Sequence, residues 1–265
     1  MNLRSAVLRV LLKFGFMANR VTTKSALLVF LGKIKPLNTQ FELIRIGGPG
    51  DGGYLVPDDL DGIRTCFSPG VSDTANFELQ LAQTGIYCYL ADYSVEKSPI
   101  EHPNFDFKKK FIGPLKDEIF ITLEDWIMEK GIQDADSILQ MDIEGAEYSA
   151  ILTTPQSVLR KFRIIIVEFH GMNDLLDPKV FPYISTSFEK LLQDFVVIHI
   201  HPNNASDPVE FQGINLWPTM EFTFLRKDRI VTSTNRSDFP HKLDADNAPT
   251  KPTSILSKEW FVPQA

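Results

Sequence analysis

The stretch Ser137 to Tyr148, SILQMDIEGAEY, passes from apolar side chains (Ile138, Leu139, Met141, Ile143) into three carboxylates, Asp142, Glu144 and Glu147, grouped around Gly145. Carboxylates at the end of an apolar run are costly to desolvate unless a charge, a hydrogen bond or a ligand uses them. Other apolar runs of the chain end in the same manner. IYCYLAD ends at Asp92, RIIIVEFH at Glu168 and His170, and VVIHIHPNN at His199, His201 and Asn203. Residues two apart on a strand share a face, so Glu168 points with His170, and His199 with His201. Neutral imidazole accepts protons or ligates metals near neutral pH, which makes His170 and His201 candidate bases. Asp142, Glu168 and His201 form a mixed oxygen and nitrogen set suited to a divalent cation such as Mg or Mn. Asp142 and Glu168 are equally suited to orienting an acceptor. The plain alternative is a polar rim whose members satisfy one another.

Two further stretches suit a bound nucleotide. Asp92 lies about 20 residues beyond the first turn of the alternating pattern, the spacing of a carboxylate that holds ribose hydroxyls. An ordinary turn aspartate would look the same. That first turn, SPGVSDTANFE, offers Ser68 and the single glycine Gly70 rather than a glycine-rich loop. GGPGDGGY offers adaptable backbone at Asp51, Gly52, Gly53 and Tyr54, since glycine permits positive φ and close approach to a ligand. A plain hairpin accounts for it as well, because Asp-Gly is a favoured turn pair.

The elements that must position these residues alternate. TCFSP, IYCYLA, a weaker FDFKKKFIG, SILQM, RIIIVEF, VVIHIH and MEFTFLR read as strands. ANFELQLAQTG, TLEDWIMEKG (Thr122 as N-cap) and STSFEKLLQDF read as helices between them. Repeated strand–helix alternation implies an α/β, Rossmann-like doubly wound sheet, mostly parallel, with ligands beyond the carboxyl ends of its strands. Residues 1–38 form a basic helical extension and 39–265 the catalytic domain, with the Pro-, Asp- and Asn-rich tail after Thr232 as a wrap. The tail and Met172 to Tyr183 are expected to wall a ligand pocket.

Composition narrows the function. The 265 residues, 43% hydrophobic, support a large core, and no apolar run has the length of a membrane span. Cys66 and Cys88 form no CxxC motif, which fits reduced thiols in a cytoplasmic protein. The net charge of -7 hides a split. Residues 1–41 carry seven basic side chains and no acid, leaving 20 bases against 34 acids, a balance of -14, in the remainder. An acidic body argues against nucleic acid as a partner. Leu3, Val7, Val10, Leu11, Phe14 and Met17 share one helical face, with Arg9, Lys13 and Arg20 opposite. Such a helix docks on its own domain, on a neighbouring subunit of a homo-oligomer, or on an anionic membrane surface.

TLEDWI, ILQMDIEGAEYSAIL, RIIIVEFH and the upstream DGGYLVP together resemble the FkbM-type family of class I S-adenosylmethionine-dependent methyltransferases, over roughly residues 41 to 230. The resemblance implies a seven-stranded sheet whose last strand is antiparallel. It implies O-methylation of a hydroxyl on a sugar, glycan or related small molecule, with S-adenosylmethionine as cofactor. Ser68 and Gly70 would lie by the methionine moiety, Asp92 would hold the ribose, and Asp142 would face the sulfonium or the reacting centre. Two other readings compete. A metal-dependent hydrolase built on Asp142, Glu168 and His201 would work without the cofactor and fail with a chelator. A non-enzymatic interaction protein would need only its N-terminal helix.

Overall fold

The computed structural model describes residues 3–15, 20–132 and 136–263. Two helices come first, α1 (Leu3–Lys13) and α2 (Lys24–Lys33). A hairpin of β1 (Leu43–Ile46) and β2 (Tyr54–Pro57) follows, antiparallel as its Asp-Gly turn suggests. The alternating unit then runs β3 (Thr65–Pro69), α3 (Asn76–Gln83), β4 (Tyr87–Ala91), β5 (Phe105–Lys108), α4 (Leu123–Glu129), β6 (Ser137–Met141), α5 (Glu147–Thr153), β7 (Phe162–His170), α6 (Phe181–Leu191), β8 (Phe195–Pro202) and β9 (Thr219–Arg226). FDFKKKFIG, expected as one strand, divides. Phe105–Lys108 joins the main sheet, while Phe111–Ile112 pairs with Phe120–Ile121 in a small parallel ladder.

The main sheet has seven strands in the order β8-β9-β7-β6-β3-β4-β5. Its neighbours are parallel except β9, which runs antiparallel between β7 and β8. The fold is the Rossmann-like α/β sheet with an antiparallel last strand expected from the sequence. Strand β7 is buried from Phe162 to Phe169, as a central parallel strand covered on both faces must be. Alternation sends Leu139, Met141, Ile165 and Val167 to one face, against Leu27 of α2, Trp126 of α4 and Phe188 of α6. Ile138, Ile164 and Ile166 go to the other, against Phe77 of α3 and Tyr54 and Val56 of the hairpin. Thr122 caps α4 by accepting the Asp125 N–H at 3.0 Å.

The stretch 1–38 is two helices with different surroundings. Leu27 and Leu31 of α2 are fully buried in the sheet core, so α2 is part of the main body. Helix α1 instead leaves Val7, Val10 and Leu12 exposed. Met17 lies outside the described residues. No described helix is long and apolar enough to cross a membrane. Cys66 and Cys88 are buried free thiols on paired strands.

Candidate active site

Parallel strands β3, β4, β6 and β7 all end at one rim, and the chemistry-bearing residues collect there. Gly70 follows β3 with φ +89, and a Cβ on it would lie 1.5 Å from the Asp142 carbonyl oxygen. The single glycine of this turn therefore stands where the two strand ends touch. The Gly70 N–H donates to the Ala91 carbonyl at 2.9 Å, and the Asp142 N–H to the Pro69 carbonyl at 3.2 Å, which ties the three strand ends together.

Beside this junction a cavity of about 420 Å³ opens. Asp92 and Asp142 both line it, with Gly70, Ser72 and Glu144. Phe111, Ile112, Phe120 and Ile143 supply its apolar wall. The sequence reading gave none of these four a place in a cavity wall. A second cavity of about 160 Å³ adjoins it, sharing Gly70, Ser72, Asp142 and Glu144 and adding Asp51, Gly52 and Tyr54 from the hairpin. The hairpin reading and the ligand-approach reading of GGPGDGGY thus describe one loop. Gly53 is set back, since a Cβ there would meet the Gly48 carbonyl at 2.3 Å. A larger cavity of about 590 Å³ lies at the opposite end of the sheet, by Phe195 and Lys227, away from these carboxylates.

The three acids of the opening motif have three fates. Glu147, at the start of α5, is fully buried. Its Oε1 accepts the N–H groups of Ile143 (3.1 Å) and Gly145 (3.0 Å) and lies 3.1 Å from His170 Nδ1. It folds the loop over and orients the imidazole, a role the sequence reading missed. Glu144 turns outward at φ +56, its carboxylate 3.4 Å from His170 Nε2. Asp142 faces the cleft 3.9 Å from His170 Nε2, and its Oδ1 is buried without a hydrogen-bond partner. Burial, together with the charges of Glu144, Glu147 and Asp51, pushes its pKa up to about 7 against the pull of His170. Burial works against the His170 cation, yet the Glu147 bond and the surrounding carboxylates raise its pKa above the ordinary value.

The other residues sit as follows. Asp92 accepts the N–H groups of Ser72 (2.8 Å) and Ser94 (2.7 Å) and the Ser94 hydroxyl (2.7 Å), which leaves about one of its acceptor sites unused. Ser68 is fully buried and lines neither cavity. Its Oγ is bonded to Glu78 and Gln140, and Gln140 donates to the Tyr54 hydroxyl at 3.1 Å. Burial raises the Glu78 pKa above the ordinary carboxylate value, against the hydrogen bond from Ser68. Met172 to Tyr183 reaches neither cavity, whereas the tail does approach: Asn247 donates to Asp51 at 3.2 Å.

The expected cation set of Asp142, Glu168 and His201 does not assemble. Glu168 pairs across the sheet with Glu221, and His201 lies beyond Glu221 on β8. With strands about 4.8 Å apart, three spacings put His201 roughly 14 Å from the Asp142 strand. Glu168 accepts from Asn203 at 2.9 Å, and burial beside Asp142 and Glu221 raises its pKa well above the carboxylate range. Among the described residues, the group close enough to share an ion is Asp142, Glu144 and His170, with ligand atoms within 4.8 Å of one another. His199 is spent on the tail, with Nε2 2.8 Å from Asp244.

With this geometry in place, the comparisons bear on the chain as follows. Residues 89–210 match the model of the methyltransferase FkbM domain, a span that includes Asp92, the DIEGAE motif and His170. No curated protein matches the sequence. Solved structures that align loosely include the fibrillarin/Nop5p complex (10% identity, 63% of this chain and 74% of that chain, TM-score 0.38). Others are the antibiotic-resistance methyltransferase Kmr (13%, 69% and 100%, 0.32) and a 16S rRNA adenine N1-methyltransferase from Catenulisporales acidiphilia (10%, 69% and 97%, 0.31). The match spans 122 of the 265 residues and marks residues 89–210 as similar to the methyltransferase FkbM domain.

Proposed function

We propose that this protein is an S-adenosylmethionine-dependent O-methyltransferase acting on a hydroxyl of a sugar, glycan or related small molecule. The observation that carries the proposal is the cleft shared by Asp92 and Asp142, with His170, held by Glu147, 3.9 Å from Asp142. Two features of the chain fit the cofactor. Asp142 Oδ1 is an orphaned, buried carboxylate oxygen, as a cationic ligand requires. The Phe111, Ile112, Phe120 and Ile143 wall suits a flat base.

When bound, S-adenosylmethionine supplies a methyl group on a cationic sulfur. The chain would hold it through Asp92 at the ribose hydroxyls, the Gly70–Ser72 turn and Asp142 at the positive charge. Asp51, Gly52 and Tyr54 would close the cleft from the hairpin side, with Ser68 acting only through Gln140. His170 Nε2 is the atom positioned to take the acceptor's proton, and Glu147 would stabilise the resulting imidazolium through Nδ1. His201 is too far along the sheet to share that task. Alignment of acceptor and donor in the closed cleft supplies much of the remaining rate effect. A small hydroxylated acceptor also suits the acidic body better than a polyanion does.

The hydrolase reading loses its support because its three residues are spread along the sheet. Calorimetry with S-adenosylhomocysteine, with and without Mg²⁺, tests the proposal. Binding that is independent of Mg²⁺ and weakened about tenfold by Asp92→Ala is expected. Absence of binding would overturn it. Methyl transfer by His170→Ala at the wild-type rate would remove the base assignment alone.

A further inference from the structure

We infer that α1 is a surface anchor for anionic phospholipid bilayers, tethered beside the catalytic rim. Val7 and Val10 lie three residues apart on one stripe of α1, and Phe14 continues it in the following turn; they are 50%, 54% and 74% exposed. An apolar stripe left in water on an amphipathic helix calls for a partner. Charge selects which. Lys13, at the end of α1, and Arg20, further along the chain, are exposed, within a 41-residue segment that has seven bases and no acid. The bases of α2 and of the turn after it are taken up by the body: Lys24 donates to the Gln212 carbonyl (2.7 Å), Lys33 pairs with Glu189 (2.6 Å) and Lys35 donates to the Glu259 carbonyl (2.6 Å). The body itself, at -14, would be repelled by an anionic surface, so the attraction must come from the segment before α2. Basic residues flanking an exposed apolar stripe fit a bilayer interface, where the stripe enters the acyl boundary and the cations meet phosphates.

The tether places this anchor. The Thr22 N–H donates to the Leu176 carbonyl at 2.8 Å, and Leu176 ends the short turn that follows β7 and His170. The anchor therefore leaves the body at the rim that carries the cleft. On the methyl-transfer reading above, on which this one point rests, the acceptor hydroxyl would be presented at a membrane surface, as on a lipid-borne glycan.

The test uses the full chain and co-sedimentation with vesicles of phosphatidylcholine containing about one third phosphatidylglycerol, against phosphatidylcholine alone, at low and high salt. Binding to the anionic vesicles only, lost at high salt, is expected. Lys13→Glu and the pair Val10→Ser/Phe14→Ser should each lower the bound fraction about tenfold, with affinity for S-adenosylhomocysteine unchanged. Vesicle binding involves no methyl transfer, so its outcome is separable from that of the proposed function. Failure to sediment with anionic vesicles at low salt would overturn the inference. So would a solution dimer that Val10→Ser/Phe14→Ser dissociates, since the stripe would then belong to a second copy.

Discussion

Protonation of Asp142 should control cofactor affinity, and the sign can be worked from the structure. The carboxyl titrates near 7 because burial disfavours its anion. On the proposed function, a cationic sulfur needs that anion, so proton and cofactor compete for it. Between pH 6 and pH 8 the ionised fraction rises about tenfold for a group of pKa about 7, equal to about 1.4 kcal/mol of binding free energy. S-adenosylmethionine should therefore bind about tenfold more tightly at pH 8 than at pH 6. S-adenosylhomocysteine has the same amino, carboxylate and ribose groups but a neutral sulfur, so the ratio of the two affinities isolates the effect. Asp142 and His170 face each other at 3.9 Å, so the titration belongs to the pair. Loss of either proton favours a cation, which leaves the sign unchanged. Asp142→Asn should flatten the ratio and hold it near the acid-side value. Calorimetry across this range checks it. An equal pH dependence for both ligands, or a slope that survives in Asp142→Asn, would refute the placement of Asp142 beside the sulfur.

The same carboxyl should cost stability. A folded-state pKa raised from 3.8 to about 7 means that stability falls as pH rises through that window, by at most about 4 kcal/mol. Asp142→Asn should raise Tm at pH 8 and leave it nearly unchanged at pH 4, as scanning calorimetry would show. Gly70→Ala should lower stability by about 3 kcal/mol or more in urea titrations, because φ +89 and the 1.5 Å approach to the Asp142 carbonyl leave no room for a methyl group. Glu147→Gln should reduce kcat about 10- to 100-fold with little change in cofactor KM. Removing that charge lowers the His170 pKa, so the acid limb of the pH–rate profile should move to lower pH. A profile that stays in place would deny Glu147 its part in holding the imidazole.

Much of this site was legible in order along the chain and much less in space. Period-two alternation was enough to set Glu168 beside His170 and to end apolar strands at Asp92 and Asp142. It also placed His201 at the same rim, where it does lie. Distance along the rim was the missing quantity. Strand β9, the last of the main sheet in chain order, inserts between β7 and β8, so His201 is separated from His170 by a strand that the sequence presents only later. Glu147 shows a different difficulty. Three acids within six residues look alike in the sequence, and which one turns inward depends on the positive-φ turn at Glu144 and Gly145 and on α5 starting at Glu147. Phe111 and Phe120 become cavity walls only because their short segments pair with each other outside the main sheet.

The residue pattern by itself determined the layered α/β architecture, the rim at which chemistry collects, the single glycine at the first turn and the split between a basic start and an acidic body. These are local properties: periodicity, strand-end composition and charge count need no knowledge of neighbours. Tertiary structure decided which rim residues meet, that His170 rather than His201 comes within 3.9 Å of Asp142, and that α2 joins the core while the apolar stripe of α1 stays in water. Those outcomes depend on strand order and helix docking, which bring together residues far apart in the chain.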